Sequence, residues 1–156
     1  MTDQNQYDST KDTLEHISKV REYMMSAAAE LLFRAQEHDK SKLGPIEKPI
    51  FDRMTPKLAK LTYGSEEYKE ALRELGVALE HHYKNNSHHP EHYEDGINGM
   101  NLFDIIEMFF DWKAASERHD NGDIYKSFEI NQERFGMSSQ LQEIFINTAN
   151  LLEWKY

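Results

Sequence analysis

Histidine and aspartate side chains recur along this 156-residue chain in an order that could surround a metal ion. The order is His16, His38-Asp39, His81-His82, the stretch HHPEH at 88–92, and Asp111. The chain contains no cysteine, and imidazole nitrogens and carboxylate oxygens are the ligands that hold Mn, Fe, Zn, Mg, Co or Ni in the absence of thiolates. The pattern predicts a metalloprotein with one or two divalent ions.

The pair His38-Asp39 is the sharpest part of this signal, because adjacent residues at a helix end can both reach one ion. Taken alone, His38 could simply favour a helix C-terminus, and Asp39 could cap a turn. Asp111 lies in the most apolar predicted helix, where a buried carboxylate must be compensated by a metal or an arginine. Glu107, one turn earlier, is either a partner of a metal ligand or a solvated residue.

The central histidines cannot all be assigned the same role. His81 and His82 are adjacent on a predicted helix and point about 100° apart, so we expect one of them, His82, to face the ion. The loop carrying His88 and His89 follows directly. For His92 a role in contacting substrate and the absence of any role are about equally supported.

The position of His16 sets a condition on the fold. It precedes His38 by 22 residues, and a straight helix of that length is about 33 Å long. Either the chain reverses near residues 25–29 or His16 is not a ligand; we expect the reversal only because the family resemblance given below implies it.

The elements that carry these residues are predicted to be helices. Apolar residues recur at helical spacing, and alternating β-branched runs are missing, which predicts an all-α protein of about six or seven helices. A first helix is predicted to begin at a cap, Ser9 or Thr10, and carries Leu14, Ile17, Val20 and Met24 at helical spacing. Further helices are predicted over about 30–37, 49–61, 66–83, 102–119, 124–135 and 139–154, with a polar loop at 85–98. We expect one domain over 1–156, with a core at about 12–118 and C-terminal helices over 122–154.

Composition limits the partners. Acidic residues outnumber basic ones by 28 to 18, and the formal charge of −10 argues against an extended nucleic acid. No signal-like segment or apolar stretch of about 18 residues is apparent, so we expect a cytoplasmic protein without a membrane partner. Self-association into a homo-oligomer stays open.

The order His, His-Asp, Asp resembles the metal ligands of the HD-domain superfamily of metal-dependent phosphohydrolases. His38-Asp39 followed by Lys42 resembles the His-Asp-x-x-Lys form of that superfamily. His88-His89 with Asp95-Gly96 is similar to the His-His and Asp-Gly pairs of the cyclic-dinucleotide-type HD phosphodiesterases. The resemblance spans roughly 12–118, and the whole chain also resembles an uncharacterised HD-like family of bacteria and phages.

The resemblance implies an HD-like helical bundle and a metal-activated water that hydrolyses a nucleotide or another small phosphate ester. The implied metal ligands are His16, His38, Asp39, Asp111, His82 and His88, the last two holding a second ion. By analogy, Lys42 would act with Asp39 in catalysis by binding a phosphate oxygen or steadying the leaving group.

The expected substrate contacts come from imidazole and guanidinium groups, the latter because guanidinium pairs bidentately with phosphate. They are His89, His92, Arg34 and Arg118. Two other functions stay open: an HD-type di-iron oxygenase, and a non-catalytic binding protein that a metal stabilises.

Overall fold

A computed structural model describes residues 7–62, 65–118 and 122–154, and every regular element within them is helical. The α-helices are α1 (Thr10–Glu37), α2 (Lys48–Leu58), α3 (Glu66–Asn85), α4 (Leu102–Ser116), α5 (Ile124–Phe135) and α6 (Ser139–Leu151). Short 3₁₀ turns lie at Lys40–Leu43, Pro90–His92 and Gly96–Gly99. The prediction of an all-α protein with about six or seven helices is confirmed.

The chain divides into two compact units, the first ending at Gln36 and the second beginning at Glu37. The first unit is formed largely by α1, none of whose residues is buried. The expected reversal near residues 25–29 is wrong, because α1 continues without interruption through that stretch. The local sequence SAAAE explains the continuity, since alanine has the highest helix propensity and neither Gly nor Pro intervenes.

In the second unit, the helix ends follow from capping side chains. The hydroxyl of Ser65 accepts a hydrogen bond from the Tyr68 N–H at the start of α3. Asp123 and Ser138 cap α5 and α6 in the same way. Gly136 ends α5 with φ of 63°, a left-handed conformation that glycine adopts without steric cost. These caps place the starts of α3, α5 and α6 close to the positions expected from the sequence.

Two apolar clusters hold the second unit together. One joins α4, α5 and α6 around the fully buried Phe128, with Phe109 and Phe145 packed beside it. The other joins α2 to α3 through Met54 and Leu75. Burying side chains of this size contributes roughly 1.5–3 kcal/mol each, so these clusters anchor the helices whose ends carry the polar residues described below.

Four helix ends differ from the expectation. α3 continues to Asn85, whereas α2 ends at Leu58, α4 at Ser116 and α6 at Leu151. The expected α4 end, at residue 119, lies outside the described residues. Among the residues that the structure describes, no helix combines the length and the apolar character needed to cross a lipid bilayer.

Candidate metal centre

Four segments of the second unit bring imidazoles and carboxylates together. The segment that follows α1 supplies His38 and Asp39, and the last turns of α3 supply His82. The loop between α3 and α4 supplies His88 and His89, and α4 supplies the carboxylates of Glu107 and Asp111. Residues far apart in sequence therefore meet at one place because the helix ends converge there.

The backbone of Asp39 explains how two adjacent residues reach the same place. Its φ of 58° and ψ of 12° lie in the left-handed region, which Asp tolerates better than most residues. This conformation ends the path of α1 and starts the 3₁₀ turn at Lys40–Leu43. Glu153 has a similar φ of 56°, so this conformation explains how Asp39 is placed beside His38 and does not by itself mark a functional site.

Two overlapping groups of side chains have the composition of a metal site. Within each group, one potential ligand atom per residue lies within 4.8 Å of all the others. The first group contains Asp39, His82, His88 and His89, and the second contains His38, His88 and Asp111. The structure therefore contains a cluster of His and Asp residues that could hold a metal ion.

Glu107 fixes the orientation of two of these imidazoles. Its Oε1 lies 2.9 Å from His38 Nδ1 and 3.0 Å from His88 Nδ1. With Nδ1 held, the Nε2 atoms turn toward the aspartates: His38 Nε2 lies 3.6 Å from Asp111 Oδ1, and His88 Nε2 lies 3.6 Å from Asp39 Oδ1. A carboxylate behind an imidazole is the usual arrangement around metal-ligating histidines.

A second carboxylate, Glu47, plays the same part on the other side. It is fully buried, and its Oε2 lies 3.0 Å from His82 Nδ1, while its Oε1 lies 2.7 Å from His81 Nδ1. His82 Nε2 is thereby directed to Asp39 Oδ1 at 3.2 Å and His89 Nε2 at 2.9 Å. His82 lies in the cluster, whereas His81 contacts Glu47 outside it.

Two buried atoms of the cluster lack a hydrogen-bond partner among the described residues. They are Asp39 Oδ1 and His88 Nε2. An unsatisfied buried polar atom costs about 1–3 kcal/mol, so two of them facing each other call for a further partner. Both belong to residues of the first group, and a cation between them would satisfy both. The residues therefore fit a metal ion in their donor type and in their unmet bonding capacity.

The electrostatics around His38 favour positive charge. Asp111, followed by Glu107, raises the pKa of His38 to about 10, against the opposing effect of burial. Burial acts to raise the pKa of Glu107, yet its contacts with His38 and His88 lower it to about 2. The pKa of Asp111 is also lowered, because contact with His38 outweighs burial. These carboxylates are ionised at neutral pH and draw a cation.

The other side of the cluster presents a neutral imidazole beside an ionised carboxylate. Burial, reinforced by His88 and His82, lowers the pKa of His89 to about 3. Burial acts to raise the pKa of Asp39, but the contacts with His82 and Lys42 hold it well below its usual range. A neutral imidazole and an ionised carboxylate are the protonation states in which these side chains bind metals.

Lys42 lies at the edge of this cluster. Its Nζ is 2.5 Å from Asp39 Oδ2 and 5.5 Å from the centre of the Phe51 ring. The lysine side chain is 30 % exposed, so the charge is accessible from outside. The resemblance to the His-Asp-x-x-Lys form leads us to expect a lysine that contacts an anion, and Lys42 lies beside the cluster with its charge exposed.

Four residues expected from the sequence do not belong to either group. His16 is exposed on α1 in the first unit, and the reversal on which its role as a ligand depended is absent. Arg34 pairs with Glu30 in the same unit. Arg118 is exposed beyond the end of α4, and His92 is exposed with Nδ1 2.8 Å from the Tyr83 carbonyl oxygen.

Sequence reasoning missed the role of Glu47, which lies in a breaker-rich stretch without helical periodicity. It also missed Asp104, a buried residue on α4. A signal for Asp104 did exist, because it precedes Glu107 and Asp111 by three and seven residues and so shares their helix face.

Comparisons with known proteins give one match. Residues 5–153 match a family described as Family of unknown function (DUF5662). Neither the curated proteins nor the solved structures contain a match. Since the matched segment covers nearly the whole chain, the protein belongs to the DUF5662 family.

Proposed function

We propose that this protein is a metal-dependent phosphohydrolase acting on a nucleotide or another small phosphate ester. The observation that carries the proposal is the set of three imidazoles whose Nδ1 atoms contact buried or half-buried carboxylates and whose Nε2 atoms face aspartates. The reaction class comes from the resemblance of the His-Asp-x-x-Lys segment to HD phosphohydrolases.

The geometry favours two ions over one. His88 offers a single ligand atom, because its Nδ1 contacts Glu107, so it can serve one ion only. Asp39 presents Oδ1 to His82 and His88, while its Oδ2 lies 3.4 Å from His38 Nε2. A carboxylate with one oxygen on each side can be shared between two ions. His89 would complete the first position and Asp111 the second.

Divalent ions at these positions would supply a water of lowered pKa, and hence a nucleophile near neutral pH. The chain supplies the rest of the chemistry. Asp39 and Asp111 balance the charge, while Glu107 and Glu47 keep the imidazoles in place. Lys42, accessible beside Asp39, neutralises a phosphate oxygen as a point charge.

The substrate class follows from charge. A chain with a formal charge of −10 repels a long polyanion, whereas a small phosphate ester needs only a local positive pocket. Lys42, together with cations held by the two ligand groups, would provide such a pocket. We therefore place nucleotides and small phosphate esters ahead of DNA or RNA.

Phosphate release from a panel of nucleotides and p-nitrophenyl phosphate tests the proposal, with Mn, Mg, Fe, Zn, Co or Ni added singly. The Asp39→Asn variant keeps a residue that tolerates the left-handed backbone while removing the charge. Asp52→Asn is the matched control, because Asp52 is exposed and contacts Lys48. We expect activity in the wild type and the control and its loss in Asp39→Asn. Absence of phosphate release with every metal, or equal activity in both variants, would contradict the proposal.

A second candidate, an HD-type di-iron oxygenase, is favoured by the donor set of the first group, which has three imidazoles and one carboxylate. Such nitrogen-rich sites suit iron as well as Zn. Consumption of O₂ by the iron-loaded protein, without phosphate release, would select this reaction. A metal that raises the melting temperature while neither reaction occurs would instead indicate the non-catalytic binding protein.

A further inference from the structure

A buried carboxylate one turn before Glu107 contacts the loop that carries the central histidines. Asp104 is fully buried in the first turn of α4. Its Oδ1 accepts a hydrogen bond from the Ser87 hydroxyl at 2.7 Å, and its Oδ2 accepts one from the Tyr93 hydroxyl at 2.6 Å. Both oxygens of this one buried carboxyl group are therefore hydrogen-bonded to the loop.

These two donors flank the histidines. Ser87 immediately precedes His88, and Tyr93 immediately follows the 3₁₀ turn that begins after His89. Both ends of the segment 87–93 are therefore attached to one carboxylate. The segment contains a single 3₁₀ turn and no longer regular element, so its conformation depends on such attachments.

The same helix face that holds the loop also carries the candidate metal site. Asp104, Glu107 and Asp111 are spaced by three and four residues and share one face of α4. Glu107 contacts His88 Nδ1, and Asp111 belongs to the second ligand group. Attaching the loop to Asp104 therefore sets the distance between His88 and its partners on the same rigid helix.

Close packing around Tyr93 supports this role. A Cβ atom at Gly99 would lie 2.8 Å from the Tyr93 Cβ, closer than real Cβ atoms approach. The backbone of the 3₁₀ turn at Gly96–Gly99 therefore packs directly on Tyr93. Asp104 also accepts the Asn101 backbone N–H at 3.0 Å, which ties the start of α4 to the same point.

We propose that Asp104 is a positioning residue that holds the His88-His89 loop in register with α4 through Ser87 and Tyr93. The proposal rests on the metal site of the proposed function. In this proposal Asp104 does not contact the ion. Losing the hydrogen bonds to Asp104 therefore changes metal affinity only through the geometry of the loop.

Tyr93→Phe removes only the hydroxyl, so it is the most conservative way to break the hydrogen bond between Tyr93 and Asp104. Tyr125→Phe is a matched control, because the Tyr125 hydroxyl lies 2.8 Å from Asn150 Oδ1 and 2.9 Å from the Trp154 carbonyl oxygen, two acceptors on α6 and the segment after it. Both variants lose the hydroxyl of a partly buried, hydrogen-bonded phenol. Ser87→Ala opens the other end of the loop without touching the phenol.

Metal affinity is measured by competition between the protein and a chromophoric chelator for Zn or Mn, beside the unfolding free energy of the metal-free protein. We expect about 10-fold weaker metal binding for Tyr93→Phe and for Ser87→Ala, as is common when the groups behind metal ligands are removed. Tyr125→Phe is expected to lose stability while keeping wild-type affinity.

The outcomes separate the two proposals. A wild-type protein that binds neither metal overturns the metal site itself. A wild-type protein that binds metal, with Tyr93→Phe and Ser87→Ala binding equally well, overturns the role of Asp104 alone. Equal losses of metal affinity in Tyr93→Phe and Tyr125→Phe also overturn it, because general loosening would then explain the effect.

Discussion

The Glu107 carboxylate lies 3.0 Å from His88 Nδ1, which leaves His88 Nε2 buried and directed to Asp39. The same Glu107 oxygen lies 2.9 Å from His38 Nδ1. One side chain on α4 therefore fixes two imidazoles that come from different segments. The following predictions test this arrangement.

Glu107→Gln is expected to weaken metal binding by about 10- to 100-fold, because a neutral amide holds the two imidazoles less firmly and makes them poorer ligands. Glu117→Gln is the control, since Glu117 is exposed near the end of α4 and pairs with Lys113. Isothermal titration with Zn or Mn measures both. Equal affinities for the two variants would exclude an orienting role for Glu107.

Glu47→Ala is expected to destabilise the metal-free protein by about 1–3 kcal/mol, because it leaves the buried His82 Nδ1 without the carboxylate. The control is Glu74→Ala, since Glu74 is exposed and contacts Lys57, and such surface pairs contribute about 0–1 kcal/mol. Urea denaturation compares the two unfolding free energies. A loss for Glu47→Ala no larger than for Glu74→Ala contradicts the assignment.

Lys42→Met is expected to leave metal stoichiometry unchanged and to lower kcat/KM for phosphate release by about 100-fold, the size of effect seen when one charge-stabilising donor is removed. Lys48→Met is the control, because Lys48 is an exposed lysine that contacts Asp52. Metal analysis and steady-state kinetics on the same preparations separate the two effects. Wild-type kinetics in Lys42→Met would remove Lys42 from the reaction.

Removing the metal with a chelator is expected to lower the melting temperature and to leave the helical circular dichroism largely unchanged. A ligand at 100 times its Kd stabilises a protein by about 2.7 kcal/mol, whereas the apolar cluster around Phe128 does not depend on the ion. Differential scanning calorimetry of loaded and chelated protein measures the shift. Identical melting curves would argue against a bound ion.

His16→Gln is expected to retain the wild-type metal content, because α1 is continuous and His16 is exposed in the first unit. Metal analysis after dialysis measures the metal bound to this variant and to the wild type. A loss of bound metal in this variant would return His16 to the ligand set and contradict the present assignment.

The sequence predicts the helices well and their ends less well. Periodicity indicates α3, α5 and α6, and in the structure Ser65, Asp123 and Ser138 cap their first turns. The reversal within α1 was inferred from the ligand order. The resemblance to HD domains implied it, no local residue favoured it, and the alanine-rich sequence continues the helix instead.

Within the site, the predictable part is the part encoded in neighbouring residues. His38-Asp39 and His88-His89 are visible as pairs. The angular separation of adjacent helix residues indicates that only one of His81 and His82 faces the cluster, and nearness to the histidine loop favours His82. Glu47 and the loop attachment to Asp104 depend on contacts across 35 and 17 residues of sequence, which no local pattern records.

Metal content after exhaustive dialysis tests the central claim most directly. Wild-type protein, His88→Gln and His92→Gln are loaded with Zn or Mn and compared, because His88 is buried in both ligand groups whereas His92 is exposed on the same loop. The account predicts bound metal in the wild type and in His92→Gln, and its loss in His88→Gln. Metal-free wild-type protein, or equal metal content in the two variants, would contradict it.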